Sequence, residues 1–426
     1  MSLLIILVFL AVACIGMPLA FALGTAAVAG LIASDIDFNL LPTRMMNAVN
    51  AFPLMAIPFF ILAGELMMKG DIMARLIDFA NALVGRVRGG LAHATVLAGL
   101  GLSTVSGAAV ADASALSSTL VPSLRKIYGA GFSGALVAAA ANLGPIIPPS
   151  GAMIVYAFMA GPSVSVGGLF MAGVVPGIIL VILMLAMCSF IAIRRNFPLT
   201  GVAFVWGDIF RELKRSWLIL LMPVVVIGGI VGGAFTPTEG AAIAVVYALL
   251  IGLFITRKLK LRDLPQALVR TAITSSVVGA MIAFASVVTY MLTIDLLPFQ
   301  LSQLLQSLTA DPLLFLLLVA VTLFVVGMFL ESIAAYTMLV PLLHPIALQY
   351  GIDPLHFGFL FVFNLVIGML TPPVGVILFV VSGVTKITLG ELVRGILPFL
   401  AIMYGLLLLA IFFPSLVLTL PELLGY

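Results

Sequence analysis

Long apolar stretches separated by short polar segments run along nearly the whole chain. Most are as long as, or longer than, the roughly 20 residues that a helix needs to cross the hydrocarbon core of a bilayer. The pattern therefore predicts an all-α protein that crosses a membrane many times. The stretches lie near positions 2–33, 51–68, 89–121, 131–161, 166–193, 217–233, 240–256, 271–293, 312–343, 357–383 and 395–417.

The composition supports a polytopic membrane protein. Hydrophobic residues make up 63% of the 426 residues and charged residues 8%, against roughly 45–50% and about 25% in soluble domains. A soluble fold has too little interior to bury so much apolar surface, which excludes a soluble enzyme, a nucleic-acid-binding protein and a disordered scaffold. The sequence also contains no His-Glu-x-x-His, Gly-x-Ser-x-Gly or Walker A motif, so no enzymatic activity is predicted.

Two of the stretches, 89–121 and 312–343, are too long for one crossing and are interrupted in the middle. The first contains the polar run Ser103–Gly107, and the second contains Gly327 followed by Glu331. Each stretch is predicted to be a re-entrant helical hairpin, which enters and leaves the membrane on the same face. Non-helical backbone at this depth is tolerated only where protein or a water-filled cavity satisfies it. The alternative is a single long, tilted helix.

The distribution of Lys and Arg predicts the orientation of the chain. When both hairpins are re-entrant, all 19 Lys and Arg residues except Arg44 fall on one side of the membrane. The positive-inside rule makes that side cytoplasmic, and converting either hairpin into a single crossing spoils the separation. The stretch 2–33 is interrupted at Gly16–Pro18, so it forms either one span or two, and the side of the N-terminus stays open.

A shift of 224 residues brings the second half of the chain into register with the first. Because the two hairpins open to opposite faces, the halves are predicted to form an inverted-topology repeat. Transporters built in this way bind substrates near the membrane midplane, where discontinuous helices meet. The matching positions are Gly134 with Gly358, Gly144 with Gly368, Pro148-Pro149 with Pro372-Pro373, Gly151 with Gly375, and Ser103 with Gly327.

Each repeat also has a span that a Pro-Pro pair interrupts, at 131–161 and at 357–383. Two prolines in mid-span remove two N–H donors and leave carbonyl groups free. Free carbonyls beside Ser, Thr and Asn oxygens suit Na⁺, so two symmetry-related sodium sites are predicted; kinked helices without an ion are the alternative. The candidate ligands are Ser103, Ser106, Asn142, Gly144 and Ile147 in the first site, and Gly327, Glu331, Gly368, Met369 and Thr371 in the second.

These features divide the chain into alternating scaffold and repeat regions. The predicted organisation is scaffold helices over 1–70, a first repeat core over 71–195, scaffold helices with basic cytoplasmic loops over 196–293, a second repeat core over 294–417 and a tail over 418–426.

At the hairpins and the Pro-Pro pairs the sequence resembles the large membrane subunit of tripartite ATP-independent periplasmic (TRAP) transporters. The resemblance covers nearly the whole chain. An acidic residue that usually follows the basic pair is absent, and the second hairpin has Glu331 where an Asp is usual; both departures concern substrate choice. The resemblant segments are 106–115, 120–126, 144–150, 327–335, 351–358 and 370–375.

The resemblance implies an elevator-type secondary transporter in the bacterial inner membrane. Such a transporter takes up an organic acid anion, such as sialic acid or a C4-dicarboxylate, and a sodium gradient drives the uptake. The two predicted sodium sites, one per repeat, make two or more transported Na⁺ ions the expectation. The family also implies two partners, a periplasmic substrate-binding protein and a small four-helix membrane subunit. A stand-alone sodium- or proton-coupled carboxylate carrier of a related inverted-repeat superfamily is the alternative.

Four residues near the hairpins and the first Pro-Pro pair are candidates for contact with the substrate. Arg125 follows the first hairpin, and its planar guanidinium suits bidentate binding of a carboxylate; a topology anchor is the alternative. Asp112 and Glu331 lie inside the hairpins, where bracing of the hairpin is the alternative role. Ser150 directly follows the first Pro-Pro pair.

Overall fold

The computed structural model describes residues 1–34, 36–84, 87–200 and 206–426, and these residues are almost entirely helical. The helices of the first half are α1 (Ser2–Cys14), α2 (Leu19–Ala33), α3 (Leu40–Val49), α4 (Ala56–Lys69), α5 (Ile72–Val84), α6 (Gly90–Ser106), α7 (Ala109–Tyr128), α8 (Ala130–Ala141), α9 (Gly151–Ala160) and α10 (Val166–Arg194). Two short strands, β1 (Val87–Arg88) and β2 (Leu199–Thr200), pair antiparallel.

The second half continues with helices of the same kind. They are α11 (Trp206–Val231), α12 (Pro237–Leu250), α13 (Leu264–Ile294), α14 (Leu297–Leu308), α15 (Pro312–Phe329), α16 (Ser332–Gln349), α17 (Pro354–Gly368), α18 (Val376–Thr385), α19 (Leu389–Phe412) and α20 (Ser415–Leu423). The predicted tail is therefore mostly helix α20, which packs against α10 and α17.

Eight helical segments among the described residues are long and apolar enough to cross a membrane. This agrees with the prediction of an all-α, multi-pass membrane protein. The segments are Phe52–Lys69, Val166–Arg194, Ile209–Val231, Pro237–Ile255, Leu261–Ile294, Pro312–Phe329, Ser332–Gln349 and Leu389–Phe412.

The internal repeat is visible helix by helix. The 224-residue shift places α6, α7, α8, α9 and α10 on α15, α16, α17, α18 and α19, and each pair of helices starts within two residues of register. At the centre of the molecule lie α8 and α17, in which every side chain over 132–141 and 355–368 is buried. The two broken spans of the sequence therefore form the core around which the other helices pack.

Both interrupted stretches fold back on themselves. Gly89, before α6, lies against Ala192 near the end of α10, and Tyr128, the last residue of α7, has its ring 4.5 Å from that of Phe197. The pair α6–α7 thus begins and ends at the same end of the molecule. The pair α15–α16 does the same, because the Tyr350 hydroxyl donates to the carbonyl of Thr309 at 2.9 Å. Each pair is a helical hairpin rather than one long helix.

The two repeats run in opposite directions. Helix α19 begins against the start of α8, where a Cβ added at Gly131 would lie 2.7 Å from the carbonyl oxygen of Glu391. The same helix ends against the start of α17, where His356 Nε2 lies 2.8 Å from the carbonyl oxygen of Ala410. Because α8 and α17 start at opposite ends of one helix, the equivalent elements are antiparallel, as an inverted repeat requires.

Contacts between distant segments group the residues by the predicted side of the membrane. Lys69 donates to the side chain of Gln266 at 2.7 Å. The basic segments around both residues are predicted to be cytoplasmic, so this contact joins two segments of the same predicted side. At the opposite end, the N-terminal amine of Met1 lies 3.5 Å from Asp295. Helices α1 and α2 form a hairpin, since Ser34 contacts Met1. The stretch 2–33 is therefore two helices, with the N-terminus on the side predicted to be periplasmic.

This arrangement predicts which exposed positions a membrane-impermeant thiol reagent reaches in intact spheroplasts. In a background with Cys14→Ser and Cys188→Ala, we expect labelling at Asn39→Cys and Ala310→Cys but not at Lys260→Cys. All three positions are exposed in the structure, so accessibility to water does not distinguish them. Labelling at position 260 but not at 310 contradicts the orientation, and permeabilised cells serve as the control for reactivity.

Candidate functional site

The tip of the first hairpin packs directly onto the break between α8 and α9. All residues from 142 to 150 in this break are buried. The hairpin turns at Gly107, which has a φ of +59°, and a Cβ there would lie 2.8 Å from the carbonyl oxygen of Pro149. Only glycine meets both requirements, because it accepts the left-handed conformation and has no side chain to fill the contact. Hairpin and broken helix therefore form one unit.

The second repeat builds the same unit with a closer contact between helices. A Cβ added at Gly368, the last residue of α17, would lie 2.6 Å from the Cα of Gly327 in the second hairpin. The N–H of Gly375, after the break, donates to the carbonyl of Met328 at 3.3 Å. Unlike the first break, this one reaches the surface at Pro373, which is exposed.

Most of the residues predicted for the first sodium site lie together at the first unit. Asn142 and Ser103 are fully buried. The Asn142 Oδ1 atom is buried without a hydrogen-bond partner among the described residues, and Ser103 Oγ donates to the carbonyl of Leu100 at 2.6 Å, which leaves its lone pairs available. Ile147 is also buried. The side chain of Ser106 lies outside the described part of the chain.

Asp112, predicted to contact substrate, lies in the same unit. Its Oδ2 atom would be 2.8 Å from a Cβ added at Gly144, so the carboxylate rests on the backbone of the first break. The side chain is fully buried in the first turn of α7. The N-terminal end of a helix favours negative charge there.

Several residues predicted for the second sodium site already bind other protein groups. The Thr371 hydroxyl donates to the carbonyl of Ile367 at 2.9 Å and lies 3.1 Å from the Tyr404 hydroxyl. The Met369 carbonyl accepts from the N–H of Ile377 at 3.1 Å. Each of these oxygens has a second lone pair, so an existing hydrogen bond does not exclude a cation.

Glu331 and Ser150 both cap helices. Glu331 precedes α16 and accepts a hydrogen bond from the N–H of Ile333 at 3.0 Å. Ser150 precedes α9, accepts from the N–H of Met153 at 3.3 Å and donates to the carbonyl of Pro145 at 2.7 Å. The contact of Glu331 fits its alternative role of bracing the hairpin, and the contacts of Ser150 occupy its hydroxyl within the first break. The assignment of both residues to substrate stays a prediction.

Arg125 is not brought to either unit. It is exposed and follows the hairpin turn by 17 residues of helix, which is about 25 Å along the axis at 1.5 Å per residue. It interacts electrostatically with Glu391 at the start of α19. The assignment of Arg125 to a substrate carboxylate stays a prediction that its position does not favour.

Two residues that the sequence prediction omitted lie at the second unit. The Asn364 amide donates to the carbonyl of Ala320 at 2.8 Å, and its Oδ1 is buried without a hydrogen-bond partner among the described residues. The sequence signal that could have indicated Asn364 is its amide side chain inside an otherwise apolar helix. Tyr404, which contacts Thr371, gives no local signal because it lies in a different apolar helix.

The chemistry of both units is that of oxygen ligands with little charge. Carbonyl, amide and hydroxyl oxygens dominate, and the residues that the structure describes contain no cluster of three or more His, Cys, Asp or Glu that could hold a metal ion. Hard cations prefer such oxygens, whereas transition metals select imidazole or thiolate. The broken helices α8 and α17 also end here, and the partial negative charge of a helix C-terminus favours a cation.

An apolar helical protein in which two inverted repeats each bring a hairpin onto a broken helix has the architecture of a secondary transporter. The chain belongs to the family described as "Tripartite ATP-independent periplasmic transporter, DctM component", whose model matches residues 5–416. The family predicted from the motifs is therefore confirmed.

Relatives named for different substrates match nearly the whole chain. The sialic acid TRAP transporter large permease protein of Vibrio cholerae is 39% identical over 96% of both chains. The 2,3-diketo-L-gulonate TRAP transporter large permease of Escherichia coli is 37% identical over 95% of both. The C4-dicarboxylate TRAP transporter large permease of Pseudomonas aeruginosa is 38% identical over 93% of this chain and 92% of its own.

The fold is also similar to that of a solved transporter. The YdaH transporter of Alcanivorax borkumensis superposes with a TM-score of 0.65, covering 89% of this chain and 88% of that chain. The sequence identity is 16%, so the likeness concerns the fold alone.

The contact between Gly327 and Gly368 predicts that a methyl group there destabilises the protein. In Gly368→Ala the new Cβ would overlap the backbone of the facing helix, and overpacking of this kind costs about 1–3 kcal/mol. We expect a lower melting temperature in detergent than for Gly383→Ala, which adds the same methyl group to a helix where nothing lies within 4 Å. Equal melting temperatures for the two variants contradict the close contact.

Proposed function

We propose that this protein is the membrane permease of a sodium-coupled TRAP transporter that takes up an organic acid anion across the bacterial inner membrane. The observation that carries the proposal is the pairing of each hairpin tip with a broken helix, at Gly107 in one repeat and at Gly327 in the other. The relatives are named as transporters of sialic acid, 2,3-diketo-L-gulonate and C4-dicarboxylates, which are all organic acid anions.

Each unit is proposed to hold one Na⁺ ion as cargo. The buried, unpartnered Oδ1 of Asn142 and the nearby carboxylate of Asp112 support the first site. The hydroxyl of Thr371 and the carbonyls at the end of α17 support the second. Because the second break is open to the surface at Pro373, we propose that its ion exchanges more readily with the solvent.

Two ions match the electrical work of the transport step. Moving a monoanion inward against an inside-negative potential of ~100 mV costs roughly 2.3 kcal/mol. One Na⁺ ion only cancels this cost, while a second makes the step electrically favourable. Each tenfold sodium gradient then adds about 1.4 kcal/mol per ion. For a dicarboxylate, which carries two negative charges, two Na⁺ ions only cancel the electrical cost. A third ion would then make the step electrically favourable.

Alternating access is proposed to proceed by an elevator motion. The helices α5–α10 and α14–α19, which contain the buried core, form the moving unit, and its two hairpins re-enter the membrane without crossing it. Helices α1–α4 and α11–α13 form the scaffold. Support comes from the direct packing of α4 on α12 and of α2 on α13, since these pairs connect scaffold helices of both halves to one another.

Two partners complete the proposed transporter. A periplasmic binding protein delivers the anion, and a small four-helix membrane subunit braces the scaffold, as the tripartite nature of the family implies. A stand-alone carboxylate carrier is the competing proposal, and the requirement for these partners distinguishes the two.

Uptake into proteoliposomes tests the proposed function. We expect sodium-dependent uptake of one member of a carboxylate panel, stimulated by an inside-negative potential, only when both partners are supplied. The sodium dependence should have a Hill slope above one. Uptake by the large subunit alone supports the stand-alone carrier. A slope near one with no effect of potential contradicts the coupling to two ions.

The second sodium site makes a prediction at Thr371. Replacing it by Val keeps the shape but removes the hydroxyl oxygen, so half-maximal uptake should need several-fold more sodium. Tyr404→Phe is the matched control, because it removes the hydroxyl that contacts Thr371 and leaves the proposed ligand in place. A normal sodium response in Thr371→Val excludes the hydroxyl as a ligand and leaves only backbone carbonyls.

A further inference from the structure

One side-chain hydrogen bond joins a residue to its own symmetry equivalent. The Asn142 amide donates to the carbonyl of Val366 at 3.0 Å, and the two residues are 224 positions apart, which is the shift that relates the repeats. Two equivalent points can be in contact only where the symmetry axis passes between them. The bond therefore lies on the pseudo-twofold axis, between the two units.

Each end of this hydrogen bond is attached to a different unit. Asn142 is the C-cap residue of α8, directly after its last residue Ala141, and it begins the first break. Val366 lies in the last turn of α17, two residues before Gly368, which contacts the second hairpin. A shift at the end of α17 therefore moves the acceptor of the Asn142 amide.

The same side chain has an unused oxygen atom. While Nδ2 is held by the carbonyl of the second repeat, Oδ1 is buried without a hydrogen-bond partner among the described residues. The amide is planar, so the direction of Nδ2 sets the direction of Oδ1. The backbone of the second repeat thus orients an oxygen that belongs to the first.

The link is made in one direction only. The side chain at the equivalent position, Val366, is apolar and has no donor to return to the carbonyl of Asn142. Asn364 lies in α17, the helix of Val366, and also has a side-chain amide. It donates to the carbonyl of Ala320 inside its own repeat. Asn364 thus provides a natural comparison, a buried amide with an unpartnered oxygen that does not cross the axis.

We propose that Asn142 is a positioning residue that couples the two cation sites. The inference rests on the proposed function, because it needs sodium at both units. An ion at the second unit orders the end of α17 and holds the Val366 carbonyl, which fixes the amide and aims Oδ1 at the first unit. The coupling is reciprocal, since an ion bound at the first unit favours the same arrangement of α17.

Equilibrium binding of radioactive ²²Na⁺ to the purified protein in detergent tests the coupling without transport. We expect a cooperative isotherm for the unaltered protein, with a Hill slope approaching the number of sites. In Asn142→Asp an oxygen stays but the amide donor is lost, so the slope should fall to about one while the number of ions bound is unchanged. Asn142→Ser, whose shorter side chain does not reach Val366, should lower the slope in the same way.

Asn364→Asp is the matched control, because it makes the same chemical change at an amide that does not cross the axis. Its Hill slope should stay above one, even where the sodium affinity itself changes. A cooperative isotherm retained in both Asn142 variants overturns the proposal, and so does an equal loss of slope in Asn364→Asp. A loss of one bound ion in Asn142→Asp also overturns it, because the residue is then a simple ligand. If the unaltered protein binds no sodium, the proposed function fails before coupling is in question.

Discussion

Backbone polar groups at two interrupted helices must be satisfied inside an apolar core, and the rest of the architecture follows from this requirement. A continuous helix uses its own carbonyl and N–H groups, whereas a break exposes several of them. Here the first break is fully buried, yet the hairpin turn at Gly107 lies directly on it. In the second repeat the N–H of Gly375 finds the carbonyl of Met328 in the facing hairpin. Each hairpin is therefore the partner that allows a helix to be broken at the centre of the molecule.

Close approach of backbones explains which residues occupy these contacts. Helices in an apolar environment gain little from burying apolar side chains, so small residues that allow tight packing matter more. Gly327 and Gly368 meet with almost no space between their main chains. Gly144 leaves room for the carboxylate of Asp112, which has no equivalent contact in the second repeat because the matching position is Tyr336. Glycines at equivalent positions of the two repeats thus allow the same close packing in two units that differ chemically.

The sequence predicted the fold in considerable detail because its signals were local and repeated. Apolar length indicated the spans, and the shared spacing of Gly144 with Gly368 and of the Pro-Pro pairs indicated the repeat. Tertiary contacts were harder to predict. Helix α7 continues to Tyr128, whose ring packs against that of Phe197, so the hairpin is seven residues longer than its apolar pattern. Arg125 seemed close to the site in sequence, but 17 residues of helix α7 separate it from the hairpin turn.

Inverted repeats impose equal geometry on the two units, but the sequence of each half is free to change. The first break is buried and begins at Asn142, whose Oδ1 has no hydrogen-bond partner among the described residues. The second break is open at Pro373 and braced by Tyr404. Only on the symmetry axis do the halves necessarily meet, and there a single amide of one repeat contacts the main chain of the other. A side chain can change in one half without its equivalent, whereas a main-chain carbonyl is always present. An axial bond from side chain to main chain therefore connects two sites that have otherwise diverged.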